Sequence, residues 1–292
     1  MKKKIFGAAV LILGTGAALA AAAIPAAPIT ASPEPVSGII HQAEAYAKAD
    51  PIAEQGLREA TRLCMAKAGF DYTPPNSDMT LDLNAAIGFK RLTLDAAKAT
   101  GYASTGPQGP REPATDSAEG RLFADPAFTN ALSGAPDAVP TTPATGMGTS
   151  SGGCRGEAMT KIYGSADNYV LATGIAYNSF FPASLSAAGD SGTAKAIKDW
   201  ATCMQETPYS SFANPQQAAD AGTAAGGQEE FRIAVTDAVC RDKTGFHAAL
   251  DTVLDKYLTT RMQELAPQIE KVKEIRETAA ANATALGGLV AR

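Results

Sequence analysis

Four cysteines constrain the fold of this 292-residue chain more than any other feature. An even number of cysteines in an exported chain is typical of disulfides, because the oxidising space outside the cytoplasm lets these bonds form and persist. The sequence therefore predicts a scaffold held by cross-links. The cysteines form two matching sets, each with a Cys-Met dipeptide followed by a Cys-Arg dipeptide: Cys64-Met65 with Cys154-Arg155, and Cys203-Met204 with Cys240-Arg241.

The amino terminus predicts export. Three lysines precede an uncharged run from Ile5 to about Ala23 that ends in small residues. A positive segment, an apolar segment and alanines of A-x-A type make up a secretory signal peptide. We expect residues 1–23 to be this signal, with cleavage roughly within residues 20–31, and residues 24–36 to be a disordered leader. An uncleaved membrane anchor is the alternative, since about twenty apolar residues suffice to cross a bilayer.

Charge narrows the classes of partner. The chain has 25 basic and 30 acidic side chains, and loss of a signal with three lysines would leave 22 basic ones and a net charge near -8. Such a surface repels phosphate backbones and anionic headgroups, so we expect no nucleic-acid partner. Membrane contact is expected only through an uncleaved signal segment. The remaining partners are extracellular or cell-envelope proteins, peptides and glycans.

Composition favours an all-α fold. Hydrophobic residues make up 45% of the chain but aromatic residues only 7%, and alanine supplies much of the rest. Small side chains favour closely packed helices over a β-sandwich. The chain is long enough for one domain, which we expect over residues 37–285. The patterning and stop signals predict helices at about 39–48, 52–68, 81–99, 157–163, 194–205, 216–225 and 228–239.

The C-terminal segment has the clearest periodicity. Apolar side chains recur at spacings of mostly three or four from Phe246 to Ile275, which predicts a long amphipathic helix. Pro267 lacks an amide donor and clashes with the preceding turn, so it should either bend this helix or divide it into a pair. Residues 286–292 are predicted to be a flexible tail.

Residues 101–153 predict a long connector. Their Gly, Pro, Ser and Thr content cannot bury enough apolar surface to fix the backbone. The exception is the segment from Leu122 to Leu132, which could form a short helix on the core. The residues from Gly148 to Gly152 match the G-x-S-x-G pattern of serine hydrolases, but no strand is predicted before them, so a linker is the better interpretation.

The two halves of the chain look like copies of one helical unit, residues 52–163 with the connector inserted and residues 190–262. In each, an aromatic stands six residues after the Cys-Met cysteine, Phe70 in the first and Tyr209 in the second. Chance similarity is the alternative. If each copy closes on itself, the disulfides are those numbered 64–154 and 203–240, one of three possible connectivities. A four-cysteine zinc site is disfavoured because no C-x-x-C spacing exists.

Four strings contain the cysteines and their neighbours: CMAKAGFDY from Cys64, GCRGEA from Gly153, WATCM from Trp200 and VCR from Val239. Together they resemble a group of secreted actinobacterial proteins without an established activity. That group has a CM...GF helix, a GCxGEA segment, a W..CM helix and a final cysteine before a long C-terminal helix. The resemblance covers roughly Leu57 to Leu265 and implies export, a helical fold and paired cysteines, but no catalytic residue. Tyr209 follows Thr-Pro here rather than the glycine of the group's turn, which weakens the argument from that turn.

Trp200, Tyr209, Phe212 and Glu157 are the candidate functional residues. The three aromatics could line a surface for a peptide or glycan, and core packing around the disulfides is the alternative reading. Glu157 would be the first candidate in a cell-wall-directed hydrolase, which requires two carboxylates across a sugar cleft. It is otherwise a first-turn residue favoured by the helix dipole, or the ion-pair partner of an arginine.

Histidine is scarce, which limits metal ligation and proton transfer by imidazole. The chain has only His41 and His247. His247 and Asp251 could share one helical face, but two ligands make a weak site, so we expect a solvent-facing pair. We expect no metal and no cofactor. The sequence thus predicts a secreted, non-catalytic binding protein, with the hydrolase as the alternative.

Overall fold

The computed structural model describes residues 38–75, 81–102, 117–134, 140–141 and 148–290. The predicted signal and leader lie outside the described residues, as does much of the connector. The predicted all-α fold is confirmed, with two short paired strands, Pro140–Thr141 and Thr149–Ser150. The α-helices are α1 Ile39–Ala45, α2 Pro51–Lys67, α3 Leu83–Ala86, α4 Leu94–Thr100, α5 Ala118–Phe123, α6 Pro126–Ser133, α7 Gly153–Tyr163, α8 Ala166–Ile175, α9 Phe181–Ala188, α10 Ser191–Gln205, α11 Pro215–Ala225, α12 Gly227–Thr244, α13 Phe246–Glu264 and α14 Ala266–Val290, and a π-helix, Ala176–Phe180, joins α8 to α9.

Side-chain caps explain where many of these helices begin. The Asp50 carboxylate accepts from the amides of Ile52 and Ala53, and Pro51 occupies the first helical position of α2. A short polar side chain at this position satisfies an amide that has no partner inside the helix, and proline there forfeits no hydrogen bond. The same arrangement, a side chain that accepts from an amide of the first turn, occurs at Asp82, Thr93, Ser117, Asp125, Ser165, Asp190 and Asn214.

Local signals also account for the departures from the predicted helices. The single helix predicted over residues 81–99 is wrong: α3 and α4 are separate, with Gly88 at a φ of 86° between them. A positive φ is easy for glycine and interrupts a helix. The segment from Leu122 to Leu132 likewise forms two helices, since Asp125 caps α6.

The C-terminal segment is divided into two helices next to Pro267. α13 ends at Glu264 and α14 begins at Ala266, one residue before Pro267, so the sequence forms two helices rather than one bent helix. The chain is helical to Val290 and Leu286 is buried, so the flexible tail predicted from residue 286 is wrong at its start.

Three clusters of buried apolar side chains organise the helices. The largest, here called the main core, surrounds Trp200, Phe180 and Phe246 and draws on α9, α10, α12 and α13. The second lies between α2, α7 and α14, where Gly56 permits close approach: a Cβ on it would stand 2.4 Å from the Cβ of Ala283. The third, here called the satellite cluster, consists of the buried side chains Met65, Phe128, Leu132 and Cys154.

The predicted disulfide pairing is confirmed: Cys64 is bonded to Cys154 and Cys203 to Cys240. The helices around the two bonds are only partly alike. Cys64 and Cys203 each lie in the last turn of a helix, but Cys154 lies in the first turn of α7 and Cys240 near the end of α12. The resemblance of the halves is therefore confined to the Cys-Met helices and the aromatic segments after them.

Candidate functional site

Trp200 faces the interior, so its predicted place on a binding surface is wrong. Its side chain is fully buried, and its indole Nε1 donates to Asp237 Oδ1 at 2.9 Å. The cause is helical spacing: Ala196, Trp200 and Cys203 lie on the buried face of α10. The alternative reading, core packing beside a disulfide, is the correct one for this residue.

A buried ion pair lies beneath the indole. Arg241 Nε donates to Asp237 Oδ1 at 2.7 Å and Arg241 Nη2 to Asp237 Oδ2 at 2.8 Å. The Arg241 side chain is 4% exposed and that of Asp237 is 0% exposed. A buried charge pair is tolerated when both ions are also well hydrogen-bonded. Here Tyr102 Oη donates to Asp237 Oδ2 at 2.9 Å and completes the set of donors around the carboxylate.

This pair anchors the segment from Lys90 to Tyr102 onto α12. Arg241 Nη1 donates to the Lys90 carbonyl at 2.9 Å, and the Tyr102 amide donates to Glu230 Oε1 at 3.0 Å. Burial and the adjacent Asp237 carboxylate raise the pKa of the Tyr102 hydroxyl, which keeps it a neutral donor. Sequence reasoning missed this network, since a four-residue Asp-Arg spacing is equally common on solvated helix faces.

Tyr209 and Phe212, the other two aromatics of the predicted binding surface, lie next to each other. Both are half-buried in the segment between α10 and α11, and their rings are stacked, with centroids 6.1 Å apart. The Tyr209 hydroxyl donates to Glu229 Oε1 of α12 at 2.9 Å. Partial burial and this bond raise the pKa of Tyr209. The segment is thus attached to α12 through the Tyr209–Glu229 hydrogen bond, while the ring pair lies within the segment.

A different side of α12 from Glu229 exposes apolar side chains. Phe231 is 38% exposed and Val239 is 44% exposed, with Val235 half-buried between them at a spacing of four residues. We call these three residues the α12 face. Surface ion pairs flank it, Arg232 with Glu229 at 2.9 Å and Lys243 with Glu206 at 3.1 Å. The spacing was visible in the sequence, but core and exposed stripes have the same period, so periodicity cannot tell them apart.

Glu157 lies elsewhere. It is exposed in the second turn of α7, which begins at Gly153, so the predicted first-turn position is wrong. Its Oε2 lies 3.5 Å from Cys64 Sγ. α7 packs on α2, α6, α8 and α14, whereas Tyr209 and Phe212 pack against the main core. The structure therefore does not bring Glu157 into the surface predicted for the aromatics.

His247 is half-buried, so the predicted solvent-facing pair with Asp251 is wrong. Its Nε2 accepts from the Leu92 amide at 3.3 Å, while Asp251 pairs with Arg91. Burial, followed by the charges of Arg241 and Arg91, lowers the pKa of His247 from 6.5 to about 4. The imidazole is consequently a neutral acceptor at pH 7. His41, by contrast, has an 88% exposed side chain in α1.

The pH dependence of stability should report on His247. A depressed folded pKa means that protons bind the unfolded state better, so the free energy of unfolding should fall as the pH drops from 6.5 towards 4. His247→Gln, which keeps an acceptor for the Leu92 amide, should flatten this dependence. The measurement is denaturant unfolding at several values between pH 7 and pH 4.5.

Two carboxyl groups also contribute to the pH dependence of stability, so the wild type must be compared with the His247→Gln variant. Burial raises the pKa of Glu44 and of Asp255, and a raised folded pKa stabilises the native state as the pH falls. Their contribution is the same in wild type and variant, so the difference between the two isolates His247. Equal slopes in the wild type and His247→Gln would contradict the prediction.

The fold and these sites define an all-α protein held by two disulfides. Disulfides are typical of oxidising compartments, while secretion itself stays a prediction. None of the helices in the described ranges is long and apolar enough to cross a membrane. Within the same residues, no group of three or more His, Cys, Asp or Glu side chains could hold a metal. Comparisons with protein-family models, curated proteins and solved structures found no significant match.

Proposed function

We propose that the protein is a secreted, non-catalytic binding protein of the cell envelope or its surroundings. Its contact surface is the α12 face. The observation that carries the proposal is the exposure of Phe231 and Val239 on one side of a single helix, 38% and 44% respectively. Grouped exposed apolar side chains with a polar border are typical of protein interaction sites.

Rigidity supports the same assignment. α12 is cross-linked to α10 by the Cys203–Cys240 bond and tied to the Lys90 segment by Arg241. A surface on such a helix is preorganised, so little conformational entropy is lost when a partner binds.

Co-sedimentation with isolated cell-envelope material tests the proposal. We expect the wild type to bind, and Phe231→Gln with Val239→Gln to weaken binding about tenfold or more, since two apolar anchors are lost. Leu185→Gln is the matched control, because Leu185 is 49% exposed on α9 and should not affect binding. Protease treatment of the envelope separates protein partners from glycan partners.

Two results would overturn the proposal. Equal binding by wild type and the double variant would exclude the α12 face, and absence of binding before and after protease treatment would exclude an envelope ligand. Release of soluble fragments from peptidoglycan by the wild type, abolished in Glu157→Gln, would instead favour the hydrolase.

A further inference from the structure

The two disulfides differ in their access to solvent. Cys64 is half-buried, while its partner Cys154 is 4% exposed. Both cysteines of the other bond are buried, since Cys203 is 8% exposed and Cys240 is 1% exposed. Thiol–disulfide exchange requires an incoming thiolate to reach a sulfur atom, so access contributes to the rate. Only the Cys64 side offers such an approach in the native state.

The surroundings of the two bonds differ as well. Cys203 and Cys240 belong to the main core. Cys154 belongs to the satellite cluster, where Cys64, Phe70 and Tyr72 pack at the edge. Small clusters with few buried apolar contacts open at lower free energy than a main core does. Breaking the first bond can therefore loosen one region while the other bond still holds the main core.

A carboxylate lies next to the accessible sulfur atom of Cys64. Glu157 Oε2 lies 3.5 Å from Cys64 Sγ on an exposed side chain. Like charges at contact distance repel even in water, so this carboxylate disfavours the approach of a thiolate to Cys64. Its effect depends on the charge of the attacking thiol and on ionic strength.

We propose that the Cys64–Cys154 bond is a thiol-sensitive switch whose rate of opening is set by Glu157, and that the Cys203–Cys240 bond is permanent. A small thiol supplies the electrons. Its thiolate attacks Cys64 Sγ, the S–S bond breaks, and Cys154 leaves as a thiolate that takes up a proton. A second thiolate then attacks the sulfur of the small thiol in the mixed disulfide, which oxidises the two small thiols to their disulfide and releases Cys64 as a thiol.

Opening the bond would release a defined element. The end of α6 is held against the start of α7 by Ser150 Oγ, which donates to the Ser133 carbonyl at 2.7 Å, and by close backbone contact between Gly134 and Gly153. Cys154 follows Gly153 directly, so its disulfide fixes this junction to α2. Phe128, now buried, would become accessible to a partner together with Phe70 and Tyr72, which pack edge to face against it. Phe123, which packs against Tyr72 and Phe128, is already 40% exposed. This inference does not depend on the proposed function.

The first test measures which bond is reduced, and how fast, by alkylation and peptide mapping of the native protein. Three thiolates of rising negative charge are the probes: cysteamine, 2-mercaptoethanol and mercaptoacetate. The ratio of rates between Glu157→Gln and wild type cancels the intrinsic reactivity of each thiol. We expect a ratio near one for cysteamine, about fivefold for 2-mercaptoethanol and more for mercaptoacetate, all shrinking in concentrated salt. Glu206→Gln, at the other disulfide, should leave the ratios at one.

The second test measures what opening does. After selective reduction and alkylation, amide hydrogen exchange should increase by at least tenfold in residues 117–134 and stay unchanged in α10 and α12. Reduction of both bonds at one rate, or of the 203–240 bond first, would overturn the switch. Equal ratios for the three thiols would show that Glu157 does not set the rate of opening. Unchanged exchange in residues 117–134 would show that the bond opens without releasing this element.

Discussion

Replacing Asp237 by asparagine should lower the free energy of unfolding by about 3 to 5 kcal/mol, since it leaves one member of a buried ion pair unpaired. The carboxylate accepts from Trp200 Nε1, from Tyr102 Oη and from two nitrogens of Arg241. Asparagine has one acceptor oxygen and an amide group that would face donors. The Arg241 charge, 4% exposed, would then have no counter-ion. Denaturant unfolding at pH 7 measures the loss.

Asp199→Asn is the matched control for this variant. Asp199 also pairs with a basic residue of its own helix, Lys195 at 2.6 Å, but the two side chains are 45% and 75% exposed. An exposed pair of this kind contributes less than about 1 kcal/mol. If Asp237→Asn lost no more stability than Asp199→Asn, the buried pair would not be a principal tie between α10, α12 and the Lys90 segment.

Replacing both Cys203 and Cys240 by alanine should cost about 4 kcal/mol in the chain-entropy model, since the bond joins residues separated by 37 positions. Alanine avoids a buried hydroxyl without a partner, which serine would introduce. The same denaturant experiment under non-reducing conditions gives the loss. We expect the variant to remain helical by circular dichroism, because the Asp237 network still joins α10 to α12.

Unfolding in the presence of a reductant is the control for the cysteine variant. A strong reductant should lower the unfolding midpoint of the wild type more than that of the variant, which has only the Cys64–Cys154 bond left to lose. Equal shifts in the two proteins would mean that the Cys203–Cys240 bond contributes nothing to stability. Unchanged stability of the variant without reductant would lead to the same conclusion.

The disulfide pairing could be predicted from the sequence, although only part of the similarity between the halves on which the prediction was based is present in the structure. Each Cys-Met helix ends in a turn followed by aromatics, and this similarity led to the correct partners. The partner helices place Cys154 and Cys240 at opposite ends, so the halves are not full copies. Similar short sequences indicate similar local turns, but a local turn does not determine how the next helix packs.

Trp200 and His247 show why the candidate site was less predictable than the fold. Both lie on helices whose existence followed from spacing, but their burial depends on which neighbours cover that face. The segment from Lys90 to Tyr102 covers part of it, through bonds between residues more than 130 positions apart in sequence. Sequence spacing carries no information on contacts of that range.

What the sequence by itself determined was local: helix starts at capping side chains, a bend or break of the C-terminal helix near Pro267, and the all-α class. These depend on interactions within a few residues, so they can be read along the chain. The tertiary structure decided that Trp200 and the Asp237–Arg241 pair are buried, that Phe231 and Val239 are exposed, and that Glu157 lies against a disulfide. Burial and desolvation are properties of the packed helices together, which is why only the packed structure assigns them.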